Sequence, residues 1–352
     1  MLKHSLQGVI FLLLGLVLSY ASHAMVVEDL YSAEVVVPDK GPQALAIGAR
    51  EALSQVLVKN SGSTDVLQNP VLASALELQR SRSLVQQYAY ISRNADSGQF
   101  LARFEFDEAV ISNLIASSGA PLWTENRPAV LVWMVVEGPD GKQFLNNDTL
   151  PAMVSLITAE FARRGVPARF PLYDLTDAAL VTADEVWRLD SFSLVAASQR
   201  YGVQGILAGR LAILSNGSGT GDWSYLSGSS RTDRSIRVGD SEAFFQAGVS
   251  LVAEEMSSRY AVAPTTATSE GIKVQVTGVS NYSDYAGIVS WLEGLELIDS
   301  ANVESIRGDT LRFNLVAQAD AQQLATIIEL NKKLLPAPSP DASVQLSYQW
   351  KR

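Results

Sequence analysis

Eight consecutive apolar residues at 129–136, Ala-Val-Leu-Val-Trp-Met-Val-Val, are the segment that most constrains the fold of this chain. A strand without a polar side must be buried on both faces, which requires a sheet with helices packed on either side. Amphipathic helical patterns at 150–164, 191–201 and 241–260 are suited to that packing. Residues 126–261, the middle segment, are therefore predicted to form an α/β unit with a mixed sheet.

Two further segments flank the middle one. The first segment, 25–125, alternates strand and helix patterns and includes a hairpin with strands at 88–92 and 100–106, which predicts an α+β domain. A linker rich in Ala, Pro and Thr occupies 262–270. The third segment, 271–352, has the order βαββαβ of a ferredoxin-like domain. The predicted fold class is thus α/β and α+β, with three small mixed domains.

The amino terminus has the pattern of a secretory signal peptide. Lys3 precedes an apolar stretch at 9–18, and small residues at 22 and 24 fit a signal-peptidase site, so we expect cleavage after Ala24. The stretch is shorter than the ~20 residues that a membrane-spanning helix needs. The prediction is an exported, periplasmic protein without a transmembrane segment in its mature chain; the alternative is an inner-membrane anchor formed by an uncleaved signal.

Composition narrows the chemistry of the mature chain. The sequence has no cysteine, and its two histidines, His4 and His23, lie in the predicted signal peptide. The usual metal ligands and the commonest general base are then absent, and neither a Ser-His-Asp nor a Cys-His nucleophile can form. The net charge of −10 argues against nucleic-acid binding. We expect no cofactor, no metal and no catalytic residue of these kinds.

Several stretches of the sequence resemble a known family. They are Tyr-Ser-Ala-Glu-Val-Val-Val-Pro-Asp-Lys-Gly-Pro-Gln-Ala-Leu from Tyr31, the stretch from Ala49 to Gly62, Asn69-Pro70, Leu84 to Tyr90, Pro128 to Trp133, and Tyr201 to Gly209. They resemble the exported proteobacterial family of domains of unknown function numbered 2066, which implies export but no activity. The middle segment is also similar to the amino-terminal domain of the Tol-system β-propeller protein and to curli-secretion-type domains, and this similarity implies docking of protein partners.

The candidate interaction site lies on a predicted hairpin of the middle segment. Trp223 and Tyr225 precede three arginines at a spacing of three, Arg231, Arg234 and Arg237. On a strand this spacing places Arg231 and Arg237 on one face and Arg234 on the other. Arginine with aromatic residues is typical of the energetic centre of a protein interface. A solvated hairpin without a partner remains the alternative.

Other motifs favour structural roles. The glycine-rich loop at 216–221 lies between strands, whereas a phosphate loop precedes a helix. The acidic residues Asp174, Asp177, Asp184, Glu185 and Asp190 lack the spacing of a calcium loop and are interpreted as helix caps in a solvated connection. Glu137 and Asp140 belong to a turn composition.

The leading functional hypothesis is therefore a non-enzymatic accessory or adaptor of the cell envelope that docks protein partners. Two alternatives remain open at this stage. One is a histidine-free cell-wall hydrolase that depends on carboxylates. The other is a protein that binds a small ligand or lipid in a large apolar cavity. The partner and the oligomeric state are not indicated by the sequence.

Overall fold

The computed structural model describes residues 25–27, 29–93, 98–214, 218–238, 240–262, 271–295, 297–339 and 341–351. The predicted signal peptide (1–24) and all but the first residue of the predicted linker lie outside the described residues. The described chain is a mixed α/β structure with three larger sheets and helices, which confirms the predicted fold class. No helix in these ranges is long and apolar enough to cross a bilayer.

The first segment packs one long helix on a three-stranded antiparallel sheet. Its elements are β1 (Met25–Val26), β2 (Ser32–Val37), α1 (Pro42–Ser61), α2 (Pro70–Ala75), α3 (Leu78–Leu84), β3 (Val85–Arg93), β4 (Phe100–Phe106) and α4 (Glu108–Ser117). The sheet order is β2-β4-β3, and α1 lies against β2 and β4. Along β4, which lies at the predicted strand position 100–106, Ala102, Phe104 and Phe106 are buried and the residues between them are half-buried.

The middle segment forms a six-stranded mixed sheet. The short strand β5 (Asn126–Arg127) lies outside this sheet and pairs with β1. The six strands of the sheet are β6 (Val130–Gly138), β7 (Gly141–Phe144), β8 (Ala168–Arg169), β9 (Gly205–Ile213), β10 (Gly219–Ser227) and β11 (Ser230–Val238). The order is β11-β10-β9-β6-β7, with β8 also beside β6, and β6 runs parallel to β9. Its helices are α5 (Pro151–Arg164), α6 (Leu175–Leu180), α7 (Ala183–Trp187), α8 (Ser191–Ser198) and α9 (Ser241–Tyr260).

The apolar run at 129–136 is buried on both faces, as predicted. Alternate residues of β6 enter two different cores. Val130, Val132, Met134 and Val136 pack with side chains of α5 and α9. Leu131, Trp133 and Val135 pack with side chains of α7 and α8 on the opposite face. The sheet therefore carries long helices on one face and short helices on the other.

The third segment contains the predicted βαββαβ order with one additional short strand. Its elements are β12 (Ile272–Thr277), α10 (Tyr282–Glu293), β13 (Ile298–Arg307), β14 (Thr310–Ala317), α11 (Ala321–Leu330), β15 (Leu334–Pro336) and β16 (Leu346–Trp350). The sheet order is β13-β14-β12-β16-β15. The carboxy-terminal β16 lies parallel to β12, and the short β15 occupies the edge.

A buried arginine joins the first two segments. Arg127 is fully buried and donates hydrogen bonds to the backbone carbonyls of Lys59, Trp123, Thr124 and Gly165 at 2.7–3.0 Å. Its guanidinium also lies 3.9 Å from the centre of the Trp123 ring. Because three of these carbonyls belong to the first segment and the fourth belongs to Gly165 directly after α5, one side chain satisfies backbone groups of both segments.

Candidate functional site

The structure places the two aromatic residues of the predicted hairpin site in the interior. Trp223 is fully buried on β10, where its ring stacks on Phe244 of α9 at 4.7 Å and its Nε1 donates to the Phe244 carbonyl at 2.9 Å. Tyr225 is also buried, and burial raises the pKa of its hydroxyl to about 12. The expectation that these rings form an exposed surface with the arginines is therefore wrong, because α9 covers that face of the hairpin.

The three arginines of β11 are separated as their spacing predicted. Arg231 donates to the Leu189 carbonyl at 3.1 Å and to Ser191 Oγ at 2.8 Å, on the face that carries the short helices. Arg234 lies on the opposite face and binds Glu254 of α9 at 2.8 Å. Arg237 is exposed near the end of β11, opposite Thr220. They therefore do not form one basic patch.

The short helices of the middle segment each begin at a polar cap. Asp174 accepts hydrogen bonds from the backbone N–H groups of Thr176 and Asp177 at the start of α6. Thr182 and Glu185 form a reciprocal capping box on α7, and Asp190 caps α8. Side-chain caps satisfy the donors that the first turn of a helix leaves open. The interpretation of Asp174, Glu185 and Asp190 as capping residues is confirmed, whereas Asp177 is buried and not solvated as expected. Within the described ranges no group of three or more His, Cys, Asp or Glu could hold a metal.

A charged network ties the start of α6 to the short 3-10 turn, Gln199–Tyr201, that follows α8. Arg200 binds both carboxylate oxygens of Asp174, at 2.7 and 2.9 Å, and Oδ1 of Asp177 at 3.1 Å. The hydroxyl of Tyr201 donates to Asp177 Oδ2 at 2.5 Å, and Tyr173 donates to the same oxygen through its backbone N–H. The Arg200 hydrogen bonds hold the pKa of Asp174 down at about 2, and burial raises the pKa of Tyr201 to about 12. These bonds fix the orientation of α6 relative to α8.

The outer side of these two helices exposes large apolar side chains. We call this the helix-pair surface; its residues are Leu172, Leu175, Leu180, Phe192 and Val195. Leu175 is 90% exposed, Phe192 84% and Leu172 69%, and Leu180 and Val195 are each more than 40% exposed. Helices α6 and α8 contact each other directly. Large apolar side chains that are exposed on neighbouring helices are candidates for an interaction site.

The sequence analysis missed this surface, although α8 carried a signal for it. Leu194 and Ala197 face the core, while Phe192 and Val195 lie on the outer side of the same helix. A helix of 8 residues with large apolar groups on both sides has more apolar surface than a single core contact needs.

Comparison with known proteins gives one family match and corrects an expectation. No curated protein matches the chain. The resemblance to the family numbered 2066 is wrong, because the family model that matches is a different one, and the similarity of the middle segment to Tol-system and curli-secretion-type domains has no support. The match covers less than a third of the chain and stops short of the middle segment. Residues 24–124 are similar to the family described as Domain of unknown function (DUF8605).

Proposed function

We propose that this chain is an exported, non-enzymatic adaptor of the bacterial envelope that docks a protein partner through the helix-pair surface. The observation that carries the proposal is the exposure of Leu172, Leu175 and Phe192 on helices that a charged network holds in place. A preformed surface loses little conformational entropy when it binds, so its apolar contacts contribute more of their energy to affinity. Export and a periplasmic location are supported by the signal-peptide pattern at 1–24.

The charges around the helix-pair surface favour a protein partner over a lipid bilayer. Of the acidic residues on or beside α6, α7 and α8, Asp174 is paired with Arg200 and Asp184 with Lys142, whereas Glu185 and Asp190 have no cation at ion-pair distance in the described part of the chain. Membrane surfaces that contain anionic lipids attract basic segments, and Glu185 and Asp190 carry the opposite charge. A protein with its own apolar anchors and a basic or neutral border fits both the apolar centre and the acidic border.

Site-specific photo-crosslinking in cells tests this proposal. A photoreactive amino acid at Phe192, and separately at Leu175, is expected to capture one partner, giving one adduct of the same mass from both positions. The matched control is Ile306 in the third segment, which is 61% exposed on β13 and should not give that adduct. Phe192→Asp, combined with the probe at Leu175, should abolish it.

Three outcomes would contradict the proposal. The first is the absence of an adduct at both positions, and the second is the same adduct from the Ile306 control. The third is an adduct of twice the chain mass that also forms with purified protein, because this would identify the surface as a contact between two copies of the chain.

A further inference from the structure

A cleft lies between the first segment and α5, on the side of the middle sheet opposite to the helix-pair surface. Its volume is about 740 Å³, which falls in the range of small-molecule sites. Strands β2 and β4 form one wall, and the end of α5 with the residues that follow it forms the other. Neither the proposed docking of a partner nor any predicted site uses it.

A buried ammonium group forms part of the lining. Lys59, at the end of α1, is 6% exposed, and its Nζ donates to the carbonyls of Ser32 at 2.8 Å and Asp29 at 3.0 Å. An ammonium group has three N–H donors, so these two bonds leave one available. In the described part of the chain no carboxylate lies within ion-pair distance of Lys59. Burial, and then the charge of Arg127, lower its pKa to about 8.

Two arginines lie at the opening of the cleft. Arg103 on β4 pairs with Asp29 and lies 3.6 Å from Glu34. Arg163 on α5 makes two hydrogen bonds to Glu160, each 2.7 Å long. Glu105 is a third carboxylate beside Arg103, at 3.3 Å, so the carboxylates at the opening outnumber its arginines. Lys59 has no carboxylate at ion-pair distance in the described part of the chain; the charge of Asp29 attracts it from farther away, and the charge of Arg127 repels it. The positive charge of the cleft that lacks a direct ion pair is therefore that of Lys59.

The remaining lining is mainly apolar. Its apolar residues include Val27, Ala33, Leu101, Ala162, Val166 and Pro167, and the polar Ser32 and Gln55 also line the cleft. Apolar walls with one buried charged group, below an opening lined by paired charges, suit an apolar body with a single polar end. A neutral apolar molecule would leave the charge of Lys59 unpaired, and a cation would be repelled by it.

We propose that this cleft binds a single-chain amphiphile with an anionic head group, the head on Lys59 and the alkyl chain along the walls of β2, β4 and α5. The anionic head group accepts a charge-assisted hydrogen bond from the third N–H of Lys59. A free carboxylate and a phosphate monoester share this chemistry.

Titration calorimetry with the full chain and monomeric ligands tests the proposal. Affinity should rise about fourfold for each methylene that becomes buried from octanoate to decanoate and dodecanoate. Dodecanoate should bind at least about tenfold more tightly than 1-dodecanol, which lacks the charge. Dodecyl phosphate compared with dodecanoate identifies which head group is preferred. Dodecyltrimethylammonium should not bind.

Variants of residues in the cleft test whether the ligand binds there. Lys59→Met should remove the preference for dodecanoate over dodecanol. Ala162→Trp alters an exposed residue of α5 that also lines the cleft, so it should block binding with an unchanged midpoint of thermal unfolding even if Lys59→Met does not fold. Phe192→Asp should leave binding unchanged, which separates this proposal from partner docking. Equal affinities for dodecanoate and dodecanol, or full binding by Ala162→Trp, would overturn it.

Discussion

The two faces of the middle sheet are covered in different ways. On one face, α5 with 14 residues and α9 with 20 residues bury their apolar stripes against the strands, although Leu156 of α5 is 41% exposed. On the other face, α6, α7 and α8 have 6, 5 and 8 residues, and large apolar side chains remain on the outside. The same sheet therefore has one face that serves stability and one face that also presents a surface.

The difference follows from helix length and from the turns between helices. A long helix directs one continuous stripe towards the sheet, so apolar residues outside that stripe are few. Short helices change direction abruptly, and two of the connecting residues, Tyr173 and Leu189, adopt a positive φ of 52°. Non-glycine residues in this conformation cost free energy and persist where the surrounding structure holds them, which is frequent at functional sites. At Tyr173 the surrounding groups are Asp177 and the Leu145 carbonyl.

The largest expected effect is a difference in the free energy of unfolding between two variants, each with one aromatic residue replaced on one face of the sheet. Trp223→Ala should lower the free energy of unfolding by about 3–5 kcal/mol, because it leaves a cavity beneath α9. Phe192→Ala should change it by less than about 0.5 kcal/mol, because the ring is exposed. Urea denaturation measures both values. Similar losses for the two variants would show that the faces do not differ in their contribution to stability.

A smaller effect is expected from the network that orients the helix pair. Tyr201→Phe removes the hydroxyl that donates to the buried carboxylate of Asp177. A hydrogen bond to a charged group contributes about 1.5–3 kcal/mol, so the free energy of unfolding should fall by that amount. Tyr282→Phe is the matched control, because Tyr282 is 80% exposed and its hydroxyl is in contact with solvent. If both substitutions were neutral, the network would not hold α6 and α8 together.

The smallest expected effect is a dependence of stability on pH. The pKa of Asp174 is lowered from 3.8 to about 2 in the folded chain, so its ionised form stabilises the fold above the unfolded value. That stabilisation is lost as the pH falls from about 4 through about 2, where the folded carboxylate takes up its proton. The difference in midpoint of thermal unfolding between the native chain and Asp174→Asn should therefore shrink over this interval. A difference that stays constant between pH 5 and pH 2 would contradict the assignment.

The residue pattern within single strands and helices predicted which faces are buried and where helices begin. The uninterrupted apolar run of β6 indicated burial on both faces, and the polar residues before α6, α7 and α8 indicated caps. The environment of Trp223 depends instead on residues far along the chain. A Cβ at Gly209, or at Gly248, would lie 2.3 Å from its ring, so glycines on β9 and α9 provide the space that receives the indole. No spacing around Trp223 reveals this, and an aromatic residue near arginines therefore resembled an interface.

The cleft and the helix-pair surface were not predicted from the sequence because they also depend on residues far apart in the chain. The cleft joins Lys59 of α1 to residues of α5 about a hundred positions later, and the helix-pair surface depends on Arg200 reaching back to Asp174. Periodicity identifies which side of one element is apolar, but it does not identify the element that covers it.

The buried arginine between the first two segments has a mechanical consequence. Arg127 holds carbonyls of α1 and of the end of α5 on one planar group, so these elements cannot rotate past each other without breaking several hydrogen bonds. A force applied to the first segment is then transmitted directly to α5 and to the sheet behind it. Under a mechanical load, the two segments are expected to move as one rigid unit and to unfold together.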